Sequence, residues 1–241
     1  MISNFNMDNY KKFVTPSAGF ILINKPSGPT SHDIINRLRR LTDIKRIGHA
    51  GTLDPFASGV LIVAVGREAT KKISQFVKMG KEYAATLFLG VQTDTYDREG
   101  KIINQSSIDD SRLAIDEIKK TLNSFVGKQQ QVPPMFSAKK FKGKKLYQLA
   151  RKGIEIKRKP ADIEIYYIDL VSYDYPVLKI KTNCSSGTYV RTLAHDIGKK
   201  LGTGAYLEEL ERTAIGCYTI AKTIKISEIT EENWHNYLIN L

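Results

Sequence analysis

The chain is poor in cysteine and has no long apolar run. Its 241 residues include only Cys184 and Cys217, far apart and with no His or Cys nearby at metal-ligand spacing. That excludes a disulfide framework, argues against a zinc site, and suits a reducing, cytoplasmic setting. No stretch approaches the length of a bilayer-spanning helix, so no membrane partner is expected. The first residues lack an apolar core before a small-residue cleavage site, and residues 1–18 read as a flexible N-terminal extension, not a signal peptide. Walker and Rossmann glycine patterns are missing too, which counts against nucleotide or nicotinamide dependence. The loop Thr93 to Gly100 is acidic, with Asp94, Asp97 and Glu99. It lacks the spaced ligands and closing Glu of an EF-hand, and no metal is expected there.

What the chain does have is positive charge. Lys and Arg number 37 against 25 acids, a net of +12. A surplus of that size favours a polyanionic partner. Between Lys139 and Lys159 ten cations face one acid, Glu155, so this stretch alone carries +9 of the +12. Phe141 and Tyr147 are interleaved with the cations, as expected where a groove neutralises phosphates and stacks bases. A lysine-rich solubilising loop is the plainer reading, but the clustering favours RNA or DNA. Hydrophobic residues at 41% and charged residues at 26% are ordinary for a globular chain.

The stretch around which the rest is organised runs from Gly48 to Val60, Gly-His-Ala-Gly-Thr-Leu-Asp-Pro-Phe-Ala-Ser-Gly-Val. It sets one carboxylate, Asp54, in a glycine-rich turn ahead of an apolar run, Val60 to Val65, short enough for a strand buried on both faces. Pro55 pushes Asp54 toward extended backbone. Taken alone, such a segment is most often only a turn.

Upstream, Gly19 to Ile23 reads as a strand leading into the turn-rich Asn24 to Pro29. Thr30 and Asp33 then stand at capping-box spacing before the apolar stripe Ile34, Ile35, Leu38, Leu41. Downstream, a helix with Ile73, Phe76 and Val77 inward is expected, then a strand from Tyr83 to Leu89. Ser107 and Asp110 should cap a helix carrying Ile115, Ile118, Leu122 and Phe125. Pro133 and Pro134 rule out a central strand there. A short helix, Leu146 to Lys152, should stop at Gly153. Ile163, Ile165, Tyr167 and Leu178, Ile180, Thr182 alternate as antiparallel strands. Val190, Leu193, Ala194, Ile197 and Leu201 mark a buried helix stripe, with Arg191 and His195 on another face. A helix ending Leu207 to Thr213, a strand at Cys217 to Ala221 and a C-terminal helix with Trp234, Leu238 and Leu241 complete the expectation. The class is α+β, with a central, mainly antiparallel or mixed sheet and flanking helices.

Five blocks follow one another in order: Asn24 to Asp33; Gly48 to Val60 with Lys71; Lys81-Glu82-Tyr83 with Leu89-Gly90 and Thr93-Asp94-Thr95; Gln131 to Lys140, continuing to Tyr147, Ala150-Arg151 and Gly153; and Ser186 to Ala194 with Asp196-Ile197-Gly198 and Leu210 to Gly216. Together they resemble the TruB family of tRNA pseudouridine synthases. The resemblance spans Gly19 to Tyr218. It implies a catalytic domain over 19–221 with an active-site cleft and a basic tRNA-binding insertion near 128–160. It further implies a short helical tail over 222–241, where too few residues follow for a PUA-type domain.

By that resemblance the substrate is the uridine at position 55 in the TΨC loop of tRNA and the product is pseudouridine. The family uses no cofactor and no metal, and the partner is tRNA through its T-stem and loop, with no obligate protein partner. Asp54 corresponds to the catalytic aspartate, acting as a nucleophile on the sugar or the base or through a glycal route. Arg191, otherwise read as a helix-surface arginine, corresponds to the arginine that pairs with that aspartate and holds it ionised. Tyr83 corresponds to the tyrosine stacked on the target base, with Tyr189 and Leu210 around the pocket. His49 matches the histidine that occupies the space left by the everted base. RNA contacts are further implied for Lys25, Lys139, Lys140, Arg151 and Lys152. Glu211 stands where an arginine is common, removing one candidate phosphate contact. The competing functions are a non-catalytic tRNA-binding or folding factor, and a glycosidase, for which no second acid is evident.

Overall fold

The chain divides into two units, residues 1–77 with 218–241 and residues 78–217. The computed structural model describes residues 18–105, 113–137, 139–141, 143–150 and 152–240. The N-terminal extension, the expected caps Ser107 and Asp110, Arg151 and Leu241 lie outside them, as do the side chains of Lys140, Phe141 and Tyr147.

The first unit begins with β1 (Gly19–Lys25), α1 (Ser31–Thr42), β2 (Ile47–Ala50), β3 (Ser58–Val65), α2 (Arg67–Lys71) and α3 (Ile73–Val77). β3 is buried at every position after Ser58, as its unbroken apolar sequence predicts. β1 runs antiparallel to it from Gly19 opposite Val65 to Lys25 opposite Gly59, and β2 pairs with it through Ile47 to Ala50. The capping box at the start of α1 is complete: Asp33 N donates to Thr30 Oγ1 at 3.1 Å and Thr30 N donates to Asp33 Oδ2 at 2.9 Å. Ile34, Ile35 and Leu38 then pack onto Ile21, Ile23, Leu61 and Val63. The single helix expected after β3 is two short ones, and Val77 is exposed rather than inward.

The second unit carries β4 (Lys81–Leu89), β5 (Val91–Thr93), β6 (Ile102–Gln105), α4 (Ile115–Asn123), β7 (Gly127–Gln131), β8 (Lys140–Phe141), β9 (Lys144–Lys145), α5 (Leu146–Ala150), β10 (Ala161–Asp174), β11 (Val177–Cys184), α6 (Val190–Lys200) and β12 (Ala205–Ile215). Its sheet has the order β12-β4-β11-β10-β7, antiparallel throughout. β7 sits at the end of that order and stops just before Pro133 and Pro134. Gly153, at φ +70°, ends the turn after α5 where a stop was expected. In α6 all five residues of the expected stripe are buried, and Arg191 is buried with them. In α4, Ile118 and Leu122 are inward, but Ile115 is exposed.

Residues 205–213 form a strand, not the expected helix. Leu207, Leu210 and Ala214 recur at helical intervals, yet the strand has register shifts between Leu207 and Glu209 and between Arg212 and Ala214. Each bulge adds one residue and turns a period of two into three, so a bulged strand imitates a helix in sequence. Tertiary pairing with β4 decides the outcome.

The chain then returns to the first unit with β13 (Tyr218–Thr219), a 3₁₀ turn at Ile220–Lys222 and β14 (Ile224–Lys225). β14 lies parallel to β1, which makes the sheet of this unit mixed. Beyond it, a 3₁₀ turn at Trp234–Tyr237 replaces the expected C-terminal α-helix, while Trp234 and Leu238 still pack on the core. Phe20 and Ile239 exchange backbone hydrogen bonds of 2.9 and 2.8 Å.

One contact in the second unit leaves no room for a methyl group. Gly204 N donates to Gly198 O at 2.9 Å as the chain turns from α6 into β12. A Cβ on Gly198 would lie 2.3 Å from Ala205 N. Gly198→Ala is expected to destabilise the fold by about 1–3 kcal/mol, because the clash is with backbone. Urea unfolding of both proteins measures this, and an unchanged midpoint would show that the turn can shift freely.

Candidate active site

The Asp54 loop is held by the turn-rich block that precedes α1. Lys25 is fully buried. Its Nζ donates to Pro26 O at 2.9 Å, Pro29 O at 2.7 Å and, across the loop, Pro55 O at 3.2 Å. Gly28 N donates to the same Pro55 carbonyl at 2.8 Å. Ser27 Oγ donates to Phe56 O at 2.8 Å. Ser31 Oγ accepts from Leu53 N at 2.9 Å and lies 3.1 Å from Leu53 O. Leu53, Phe56 and Ala57 are buried on either side of Asp54, which stays half-buried. The bonds to Leu53, Pro55 and Phe56 end on backbone flanking Asp54, so the carboxylate rides on a fixed main chain and not on a free turn. Gly28, at φ +109°, supplies the bend this requires.

Tyr83 lies in β4, 8% exposed, between Thr182 of β11 and Arg212 of β12. Lys81 and Tyr83 share the buried face of β4, and Arg212 is buried beside them. Burial, with Arg212 nearby, lowers the Lys81 ammonium to a pKa of about 8. Lys81 Nζ donates to Met79 O at 2.6 Å. Glu82 points to the opposite face. Burial alone would raise its carboxyl, but hydrogen bonds from Tyr167 and Thr213 and the ion pair with Lys181 at 3.2 Å outweigh it and hold the group below its usual range.

Arg191 is 5% exposed, so the reading as a surface arginine is wrong. Its guanidinium donates to Asp97 Oδ2 at 2.9 Å, Thr95 O at 3.3 Å and Phe136 O at 2.8 Å. Asp97 is itself buried, and the reading of its acidic loop in sequence gives it no role. Thr95 and Asp97 both come from this one loop, and nothing local in the sequence marks Asp97 as the partner of a residue 94 positions away. That loop is tied down through its backbone, with Leu207 N donating to Tyr96 O at 2.9 Å and Arg98 N to Leu207 O at 3.1 Å. Tyr189 caps α6, and its backbone is gripped by the Gln131 amide: Tyr189 N donates to Oε1 at 2.8 Å and Nε2 donates to Tyr189 O at 3.1 Å. Leu210 is buried in β12 opposite Ala85.

Of the residues expected to touch RNA, Lys139 and Lys152 are exposed, and His49 is half-buried in β2 opposite Val63. Lys25 is a correction. Its ammonium is enclosed by carbonyls, so it braces the Asp54 loop and does not present charge to a phosphate. Asp54 and His49 belong to the first unit; Tyr83, Asp97, Tyr189, Arg191 and Leu210 belong to the second. The described residues contain no cluster of His, Cys, Asp or Glu able to hold a metal, and no helix among them is long and apolar enough to cross a membrane.

Lys25→Met keeps the side-chain length but leaves the carbonyls of Pro26, Pro29 and Pro55 without their buried donor. A loss of about 2–4 kcal/mol is expected in equilibrium unfolding, from unmade buried hydrogen bonds. Stability equal to the parent would show that the ammonium does not brace the loop.

Residues 39–190 match the N-terminal domain of the TruB family pseudouridylate synthases, and residues 191–239 match a tRNA pseudouridylate synthase B C-terminal domain. A Protochlamydia amoebophila protein named tRNA pseudouridine synthase B is 49% identical over 211 residues, 88% of this chain and 79% of that protein. Its namesake from Clostridium tetani is 45% identical over 221 residues, 92% of this chain and 75% of that one. Among solved structures, a chain of a Cbf5-Nop10-Gar1 complex superposes with a TM-score of 0.70 at 28% identity. The match covers 91% of this chain and 55% of that one. With a family match over most of its length and relatives near half identical across it, the chain belongs to the TruB family of pseudouridylate synthases.

Proposed function

We propose that the chain converts a uridine of tRNA to pseudouridine, and that the uridine is the one at position 55 in the TΨC loop, bound through the T-stem and loop. Family membership and relatives named tRNA pseudouridine synthase B support the reaction. The observation that carries the site is the Asp54 carboxylate on a main chain fixed from Lys25 to Ser31. The reaction breaks the C1′–N1 bond, turns the uracil, and joins C5 to C1′. The proton lost from C5 balances the one N1 gains, so no redox partner or nucleotide is consumed. What the protein supplies is a nucleophile toward sugar or base, the role assigned here to Asp54. Arg191 serves in this reading as the partner that keeps the carboxylate ionised, held ready by Asp97, Thr95 and Phe136.

Tyr83 is the residue assigned to stack on the base, with Tyr189 and Leu210 beside it. A loop uridine is stacked in folded tRNA, so the reading includes base eversion, with His49 filling the space vacated. The exposed Lys139 and Lys152 are assigned to phosphates, which position the RNA without reading its bases. The same reading keeps the protein in the cytoplasm, with tRNA as partner and no obligate protein subunit.

Release of tritium from a tRNA transcript labelled at C5 of uridine tests this at sub-stoichiometric protein. The parent is expected to turn over many times, and Asp54→Asn to lose at least about a thousandfold in rate while retaining tRNA affinity. Stoichiometric retention of tRNA by the parent without tritium release would leave a binding or folding factor. Free uracil among the products would indicate a glycosidase.

A further inference from the structure

Within the second unit a cavity of about 280 Å³ is lined by Tyr96, Arg158, Thr192, His195, Asp196 and Lys199, among others. At about 30 Å³ for each water in the liquid, it has room for several molecules and approaches the lower end of small-ligand sites. Three buried polar atoms, Arg158 Nε, Thr192 Oγ1 and His195 Nδ1, have no hydrogen-bond partner among the described residues. All three belong to side chains that line this one cavity, and Thr192 is only 4% exposed. Buried polar groups are normally satisfied, so three in one place point to a shared partner outside the chain.

The atoms define what that partner must offer. Arg158 Nε can only donate, and the Thr192 hydroxyl is able to donate. Burial, with Lys199 nearby, holds His195 below the usual histidine pKa and so favours the uncharged ring, which can carry its proton on Nδ1. Lys199 adds a second cation. Three donors and two positive charges suit an anion with several oxygens, while the carboxyl of Asp196 suits a hydroxyl donor. Arg158 also meets Glu155 through NH2 at 3.4 Å, an exposed contact that does not use Nε. A phosphodiester with its neighbouring ribose hydroxyl satisfies both requirements, and the cavity is larger than a bare phosphate needs.

We propose that this cavity binds one phosphodiester of the tRNA strand together with its ribose, Arg158, Thr192 and His195 donating to phosphate oxygens and Asp196 accepting from the 2′-hydroxyl. The inference rests on the tRNA reading above. Its location gives it a consequence for the site. Thr192 follows Arg191, and His195 stacks on Tyr96 with centroids 4.1 Å apart. Tyr96 lies between Thr95 and Asp97, the residues that hold Arg191. The phosphate would therefore be anchored to the same helix and loop that orient the active-site arginine.

The test is a scan of a T-arm RNA in which each phosphate in turn is replaced by a neutral methylphosphonate, with affinity measured for the parent, Arg158→Gln and Thr192→Val. One position is expected to weaken the parent by roughly tenfold, the scale of one neutralised phosphate. The same position should have little further effect on either variant, and a 2′-deoxy substitution beside it should weaken the parent but not Asp196→Asn. Arg158→Lys should restore part of the lost affinity, which a variant that merely failed to fold would not show. Methylphosphonate effects identical in parent and variants at every position would overturn the proposal. A parent that retains no RNA at all would instead overturn the functional reading.

Discussion

A single buried ammonium group governs the geometry of the Asp54 loop. Lys25 sits at the end of β1, with no surface exposed, and its Nζ is shared between the carbonyls of Pro26 and Pro29 and that of Pro55. Burying a lysine is costly unless its donors are all used. Here the cost is met by main-chain oxygens, and the two segments that supply them are thereby fixed to each other. Gly28, Ser27 and Ser31 extend that attachment along the loop on both sides of Asp54. The strand pairing of Lys25 with Gly59 places the ammonium there, so the buried sheet and the carboxylate are parts of one construction.

The second unit solves a similar problem with a different pairing. Arg191 projects from a helix face that periodicity alone would leave in solvent, and it stays buried because Asp97 and two carbonyls complete its hydrogen bonds. Removing one member of such a set leaves an uncompensated buried charge, which costs far more than a surface pair would. The loop carrying Asp97 is in turn bonded through its backbone to β12. Orientation of the arginine is thus inherited from the sheet, as orientation of the aspartate is inherited from β1 and β3.

Much of this was legible in the chain because local and long-range signals agreed. The run Val60 to Val65 has no polar side and is short enough for a doubly covered strand, which it forms as the buried part of β3. Thr30 and Asp33 announced the start of α1, and the stripe of α6 packs as its spacing predicts. The failures have a common cause in tertiary pairing. The bulged strand β12 carries helical spacing because two extra residues shift its alternation, and no local property reveals a bulge. Lys25 is implied by the resemblance to touch RNA, yet it is enclosed, and sequence shows charge without showing enclosure. Asp97 stands in sequence only as one acid of an acidic loop, because the partner that explains its burial lies 94 positions further along the chain. The family resemblance names Asp54, Tyr83 and Arg191 as candidates, while the bonds that fix Asp54's loop and Arg191 are visible only in the structure.

Hydrogen exchange at two backbone amides tests the central claim about the loop most directly. Leu53 N–H donates to Ser31 Oγ and Gly28 N–H donates to Pro55 O, both outside regular secondary structure. If the loop is fixed as described, these amides should exchange as slowly as those of β3, on the timescale of global opening. Exchange at the rate of an exposed turn, in a protein whose β3 amides remain protected, would contradict the account.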